Sequence, residues 1–415
     1  MRDPQTGTTL SNVTHLRSAG RARHLRLAVL AAAGLAVAGC AENAPQDIFQ
    51  EKGSNAEAIG DLDFVYYIAI GVGVIVAIVI AWVIFRYRDR GQPIPEQTHG
   101  KPILEIGLTI LPALILVGVA IPTVGTLMAL NETDDTECIV NVTGQQWWWE
   151  FDYPVQDGCG GIDEPIVTSG QMVIPADTNV LIRGTSRDVI HSFWIPALNG
   201  KRDMVPGRIH TLRMQAYEPG LYAGQCAEFC GLSHANMRME VAALDDAGFE
   251  AWKANQLEDY EAPFPSTKAA AGEAAFIANC SRCHQIDGLL DSDGSPIVAR
   301  PDQQVYSGAA PNLTNFMTRN TFAGASWDML IDDCREDVWE APSDQFTERY
   351  LEGVTDACFK ESELREWLRD STAKKPMYAD PEELEETDGL FRGMPYLALS
   401  EDQIDDLLAY LLERK

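Results

Sequence analysis

Positive charge is scarce in this chain. Its 415 residues include 32 lysines and arginines against 61 aspartates and glutamates, a formal net charge of -29 and a pI near 4.5. That balance excludes a nucleic-acid binder resting on a basic face and favours cationic partners or an acid-tolerant exposed surface. Charge of either sign is nearly absent from two long stretches, Leu62 to Phe85 and Ile103 to Leu130, which argues against a buried hairpin inside a soluble domain. Cys280-Ser-Arg-Cys283 has no second cysteine pair at a suitable distance, which excludes a zinc ribbon there.

Each apolar stretch exceeds the roughly 20 residues that a helix needs to cross a bilayer core. Arg86, Arg88, Arg90 and Lys101 between them place the connection in the cytoplasm by the positive-inside rule. The N-terminal segment 40–61 and everything after Asn131 then lie on the external face of a bacterial plasma membrane. The first 39 residues read as an export signal, with Arg17, Arg21, Arg23 and Arg26 ahead of the apolar run Leu27 to Val37. Val37-Ala-Gly-Cys40 resembles a bacterial lipobox, which implies cleavage before Cys40 and a lipid on its sulfur; an ordinary signal with an incidental cysteine is the alternative. Nine cysteines suit an exported protein, where four can serve metal or haem and one lipid. Cys138 and Cys159 are expected to pair, stabilising by roughly 3 kcal/mol through loop closure. Cys334 and Cys358 read as a second disulfide.

The densest chemistry is Cys226-Ala-Glu228-Phe-Cys230-Gly-Leu-Ser-His234-Ala-Asn-Met237. Thiolates select copper, zinc or iron-sulfur clusters, and a thioether and an imidazole beside them tilt the choice to copper. With His191 of Asp188-Val-Ile-His191 as a second imidazole, the ligands outnumber the needs of one blue copper and suit two copper ions bridged by both sulfurs. A Cys226–Cys230 disulfide would leave the placement of His234, Met237 and His191 unexplained. This block, with Lys201-Arg-Asp-Met-Val-Pro206-Gly207-Arg208 and Pro219-Gly-Leu-Tyr222-Ala-Gly-Gln225, resembles subunit II of the haem-copper cytochrome c oxidases. The resemblance implies copper A ligands at His191, Cys226, Glu228 through its backbone carbonyl, Cys230, His234 and Met237. It also implies a magnesium at the subunit I interface through Glu228, and a proton-uptake pathway whose mouth is Glu105; a snorkelling helix-end carboxylate is the plainer reading of Glu105.

Between residues 136 and 255 strands are expected at Cys138 to Val142, Gln146 to Tyr153, Gln171 to Ile174, Asn179 to Arg183, Arg208 to Gln215 and Met237 to Ala243, in a Greek-key sandwich. The family's extramembrane domain is a cupredoxin barrel, which agrees. Strand alternation sends Trp148 to the face opposite Trp147 and Trp149. By resemblance, Trp147 marks the place above the copper centre where electrons enter, although core packing explains at least one of the three.

A Pro- and Ala-rich linker, 256–271, leads to Cys280-Ser-Arg-Cys283-His284, the attachment signature of c-type haem, with two thioethers and an axial imidazole. Met377 and Met394 are candidates for the sixth ligand. Met394 is favoured by its Met-Pro context, typical of class I cytochromes c, and by the final helix behind it. That helix opens with a Ser400 to Gln403 capping box and aligns Ile404, Leu407, Leu408 and Leu411 on one face. Gly308-Ala-Ala-Pro311-Asn-Leu-Thr314 resembles the haem-edge loop of such domains. Residues 320–389 exceed what a minimal cytochrome needs and include the acidic run Glu382 to Glu386.

The expected organisation is a signal at 1–39, an external segment at 40–61, a two-helix transmembrane hairpin at 62–130, an all-β cupredoxin Greek-key barrel at 131–255, the linker, and an all-α class I cytochrome c domain at 272–415. The resemblance implies an electron relay from cytochrome c or a cytochrome bc-type complex to haem c, then copper A, then haem in subunit I, with subunits I and III as membrane partners. The chain itself then performs no bond chemistry. A copper A nitric oxide reductase subunit and a stand-alone tethered carrier are alternatives. A quinol oxidase subunit II is disfavoured by Cys226 and Cys230.

Overall fold

The computed structural model describes residues 50–91, 99–133, 135–155, 159–198, 200–258, 266–289, 310–379 and 392–414. The signal segment, Cys40, residues 259–265 of the linker and the acidic run at 382–386 lie outside these residues.

After a short helix α1 (Ser54–Gly60), two long helices form, α2 (Phe64–Tyr87) and α3 (Pro102–Leu130). At 1.5 Å per residue, the 24 residues of α2 span about 36 Å, more than a hydrocarbon core requires. Neither helix buries a residue. A helix that is apolar all round and uncovered has lipid as its solvent. Pro112 and Pro122 sit inside α3, as prolines do more often in membrane-spanning helices than in soluble ones.

The extramembrane β domain is a sandwich. Strands β1 (Cys138–Gln145), β2 (Trp148–Tyr153), β3 (Ile166–Ser169), β5 (Val180–Ser186) and β8 (His210–Met214) form one sheet in the order β3-β2-β1-β5-β8. Strands β4 (Gln171–Pro175), β10 (Arg238–Leu244) and β9 (Gly220–Gln225) form the other in the order β4-β10-β9, and β6 (His191–Phe193) pairs with β7 (Arg202–Met204). β1 alternates buried and half-buried residues, so Cys138, Val140 and Val142 face the core. The Tyr153 hydroxyl bonds both the carbonyl and the amide of Val173, at 2.7 and 2.8 Å, and so joins the two sheets. Helix α4 (Asp246–Gln256), capped by Asp245 on Gly248 N, lays Trp252 against Tyr153 with ring centroids 5.2 Å apart.

Two expectations change. β3, β6, β7 and β9 were not expected, because three- and four-residue or glycine-bearing strands carry almost no period-2 signal. Gln146 and Trp147 lie in a turn ahead of β2, so strand alternation does not govern the tryptophan run, and Trp147, Trp148 and Trp149 are all buried.

In the C-terminal domain, α5 (Thr267–Asn279) packs on the last helix, α10 (Glu401–Leu412). Gly272 permits the close approach, since a Cβ there would fall 2.0 Å from the Asp406 carbonyl oxygen. Ser400 and Gln403 form the reciprocal capping box, and Ile404, Leu407, Leu408 and Leu411 are all buried. Each such side chain contributes roughly 1.5–3 kcal/mol of burial. The additional length at 320–379 folds as a hairpin, β11 (Thr321–Phe322) with β12 (Trp327–Asp328), and four helices, α6 (Asp332–Trp339), α7 (Ser343–Leu351), α8 (Glu361–Arg369) and α9 (Ser371–Lys374). It packs on the copper-domain strands: the Tyr350 hydroxyl donates to Gln171 at 3.0 Å, and Arg319, just ahead of the segment, donates to Ser169 at 2.9 Å. Disulfides join Cys138 to Cys159 and Cys334 to Cys358.

Candidate metal centre and haem pocket

The loop from Cys226 to Met237 leaves β9 and returns as β10, closed at its base by Cys226 N–H donating to the Met237 carbonyl at 2.9 Å. Ala227 N–H donates to the Ser192 carbonyl at 3.0 Å, which draws the loop onto β6 and His191. Gly144 of β1 leaves space for that imidazole; a Cβ there would lie 2.8 Å from ring carbon Cδ2. Trp149 packs against His191 and Phe193.

His191, Cys226 and Cys230 bring their ligand atoms within 4.8 Å of one another. The two sulfurs are 3.8 Å apart and unbonded, so no disulfide joins them. Nδ1 of His191 lies 3.9 Å from the Cys226 sulfur, and Nδ1 of His234 lies 3.6 Å from that of Cys230. The Met237 sulfur is 3.7 Å from Cys230, and the Glu228 carbonyl is 3.2 Å from Cys226. All six expected ligands therefore meet at one place. A pair of sulfurs flanked by one imidazole on each, with a thioether at one and a carbonyl at the other, fits two soft cations sharing both thiolates.

The two thiols oppose each other's ionisation: the Cys230 thiol, hydrogen-bonded to Cys226, outweighs burial and holds Cys226 below the usual thiol range, while Cys226 and burial push Cys230 up. A metal that takes both sulfurs as thiolates displaces the thiol protons. Asp188 orients His191 by accepting from its Nε2 at 2.8 Å. Burial disfavours the Asp188 charge, but His191 and the Gln146 and Val189 amides outweigh it and keep its carboxyl below the usual range. Asp188 was quoted in the sequence motif and its role missed; an acid three residues ahead of a ligating histidine was the available signal.

Cys280 caps α5, and the Cys283 and His284 amides both donate to its carbonyl, at 3.0 and 2.9 Å. The attachment motif thus occupies a single tight turn. Nδ1 of His284 bonds the Pro311 carbonyl at 2.8 Å, which leaves Nε2 for iron. Burial, aided by Arg319, holds this imidazole below its usual pKa and so neutral, as a ligand must be. The turn opens on a mainly apolar cavity of about 650 Å³, walled by Phe276, Leu313, Leu407 and Leu411 and faced by both Met377 and Met394. Its size and lining suit a bound prosthetic group. A bridge between Tyr378 and Arg392 brings the two methionine segments side by side.

Residues 161–244 match the family described as cytochrome C oxidase subunit II, periplasmic domain, residues 46–125 its transmembrane domain, and residues 269–415 the cytochrome c family. Cytochrome c oxidase subunit 2 of Alkalihalophilus pseudofirmus is 30% identical over 391 residues, 92% of this chain and 94% of that one. The chain belongs to the cytochrome c oxidase subunit II family. The subunit 2 of Bacillus sp. strain PS3 is 31% identical over 345 residues, 80% of this chain and 79% of that one. The periplasmic domain of subunit II of cytochrome oxidase of Bradyrhizobium japonicum is 29% identical, covering 30% of this chain and 96% of that one, with a TM-score of 0.26. As a subunit II the chain is part of an oxidoreductase complex, associates with other oxidase subunits and lies in a membrane. Its β domain implies copper A and its C-terminal domain haem c.

In this subunit II, Trp147 is 2% exposed and donates its indole N–H to the Cys230 carbonyl at 3.0 Å. Glu105 stands in the first turn of α3, exposed. Sequence reasoning missed Lys375, whose ammonium is buried beside the copper loop and pushed down to about 7 by that burial. Its partners lie far away in sequence, so no local pattern announces it.

Proposed function

We propose that this subunit receives electrons from cytochrome c or a cytochrome bc-type complex at a covalent haem c and delivers them through copper A to haem in subunit I, where oxygen becomes water. When bound, the two groups supply one-electron redox chemistry with little structural change. Cys280 and Cys283 anchor the haem, His284 and Met394 are its axial ligands, and His191, Cys226, the Glu228 carbonyl, Cys230, His234 and Met237 hold copper.

The protein's part is to fix and tune. The loop keeps six donors in place, so that a change of charge at the centre moves few atoms. A Met and His axial pair raises the iron potential, as a donor to copper requires. The observation that carries the reading is shared walls: Trp147, bonded to the Cys230 carbonyl, lines the same cavity as Cys280, Cys283 and His284.

At the membrane, Arg86, Arg88, Arg90 and Lys101 face the cytoplasm of a bacterial plasma membrane, the N-terminus and both redox domains face outward, and a lipid on Cys40 adds an anchor. Subunits I and III are the partners within the bilayer. Glu105 gathers protons for subunit I at the cytoplasmic end of α3, and the exposed Glu228 side chain meets a magnesium ion at the subunit I interface. Oxygen uptake compared with nitric oxide turnover by the purified complex tests the acceptor: oxygen uptake supports the reading, and turnover of nitric oxide alone overturns it.

A further inference from the structure

Trp147, the residue expected to receive electrons, cannot be reached from solvent. The Tyr378 ring lies against it with centroids 5.6 Å apart and planes at 40°. Tyr378 follows Met377, which lines the haem cavity. Trp147 itself lines that cavity, so contact runs from the cavity wall through Trp147, with Tyr378 packed on its ring, to the Cys230 carbonyl.

Lys375 holds this seam. Its buried ammonium donates to the carbonyls of Trp147 at 2.8 Å, Ala323 at 2.8 Å and Asn236 at 3.0 Å, which uses all three of its protons. Trp147 and Asn236 belong to the copper domain, and Asn236 lies between the ligands His234 and Met237. Ala323 belongs to the haem domain. Ser233 donates to the Pro376 carbonyl at 2.5 Å, Ser326 to that of Asn236 at 2.7 Å, and Arg238 N–H to that of Gly324 at 2.9 Å. Burying a lysine without a carboxylate partner is costly, and an apolar side chain of like length would fill the space. Three converging carbonyls reward the cation only in one register of the two domains.

We propose that Trp147, backed by the Tyr378 ring of the haem domain, is the contact between the haem cavity and the copper loop, that Lys375 is the positioning residue holding that contact, and that an external donor consequently docks on the haem domain and not at Trp147. This rests on the relay proposed above. The step it serves moves one electron from ferrous haem to the oxidised copper pair, with no bond made or broken and no proton required. Because transfer rates fall exponentially with separation, a small slip of the seam is felt directly.

In the complete purified oxidase, haem and copper spectra establish that both groups are retained, and a flash-reduction experiment reads haem-to-copper transfer. Tyr378→Leu and Lys375→Met should each slow this transfer severalfold. KM for a soluble cationic cytochrome c should stay unchanged, and Tyr378→Phe, which keeps the ring, should restore the rate. Parental transfer in Tyr378→Leu overturns the proposal, as does a raised KM with an unaltered internal rate. Cross-linking of the same cytochrome c to the unaltered complex needs no variant to fold: cross-links confined to the haem domain support the proposal, and cross-links around Trp147 overturn it. An unaltered complex that holds both groups yet transfers nothing between them refutes the relay itself, a separate result.

Discussion

Nε2 of His191 donates to Asp188 at 2.8 Å, which leaves Nδ1 of the same ring facing the Cys226 sulfur at 3.9 Å. The carboxylate sets both the tautomer and the ring angle, and it is itself held by the Gln146 amide at 2.8 Å. Losing such a partner typically weakens metal retention about 10–100-fold. Asp188→Asn should therefore release copper more readily to a chelator while haem is untouched. Parental copper retention would show that the carboxylate does not orient the ligand.

Cys226→Ser and Cys230→Ser remove one of two sulfurs that lie 3.8 Å apart. Each should abolish the copper spectrum and leave the haem spectrum intact. A copper signal surviving either change contradicts the assignment.

Met394→Ala should shift the haem spectrum and lower its potential, because a thioether ligand favours the reduced iron. Met377 faces the same cavity and is the more deeply buried of the two. Redox titration of both variants decides: an effect confined to Met377→Ala moves the axial role there.

Glu240 sits in the seam between β10 and the haem domain, bonded by Gln171 at 3.0 Å and Thr321 at 3.4 Å. Burial raises its pKa against the opposing pull of Arg335. Its folded value thus exceeds the unfolded value of about 4.3, so its stabilising contribution is complete below that pH and is lost as pH rises through the folded value. Glu240→Gln should gain thermal stability relative to the parent as pH increases from 5 toward 8, in melts followed at the haem band. A gap that shrinks with rising pH would contradict this sign.

The copper ligands were legible because their chemistry is local: five of six fall between Cys226 and Met237, and soft donors at that density have few other uses. The α10 cap and its apolar face were legible for the same reason, as Ser400 and Gln403 are three residues apart. The seam was not legible. Lys375 meets carbonyls 228, 139 and 52 residues away, and nothing near it in sequence distinguishes it from a surface lysine. Trp147 misled the strand assignment because aromatic residues favour strands by composition, while here the chain turns before β2 begins. The acidity of 320–389 concealed short amphipathic helices, although Leu364 and Leu368 of α8, four residues apart and both buried, carried the signal.

Elemental and haem analysis of the purified protein tests the central claim most directly. Two copper atoms for each covalently bound haem are expected, with the copper lost in Cys226→Ser. Zinc at that site, or a chain isolated with haem but repeatedly without copper after growth in copper-replete medium, would contradict it.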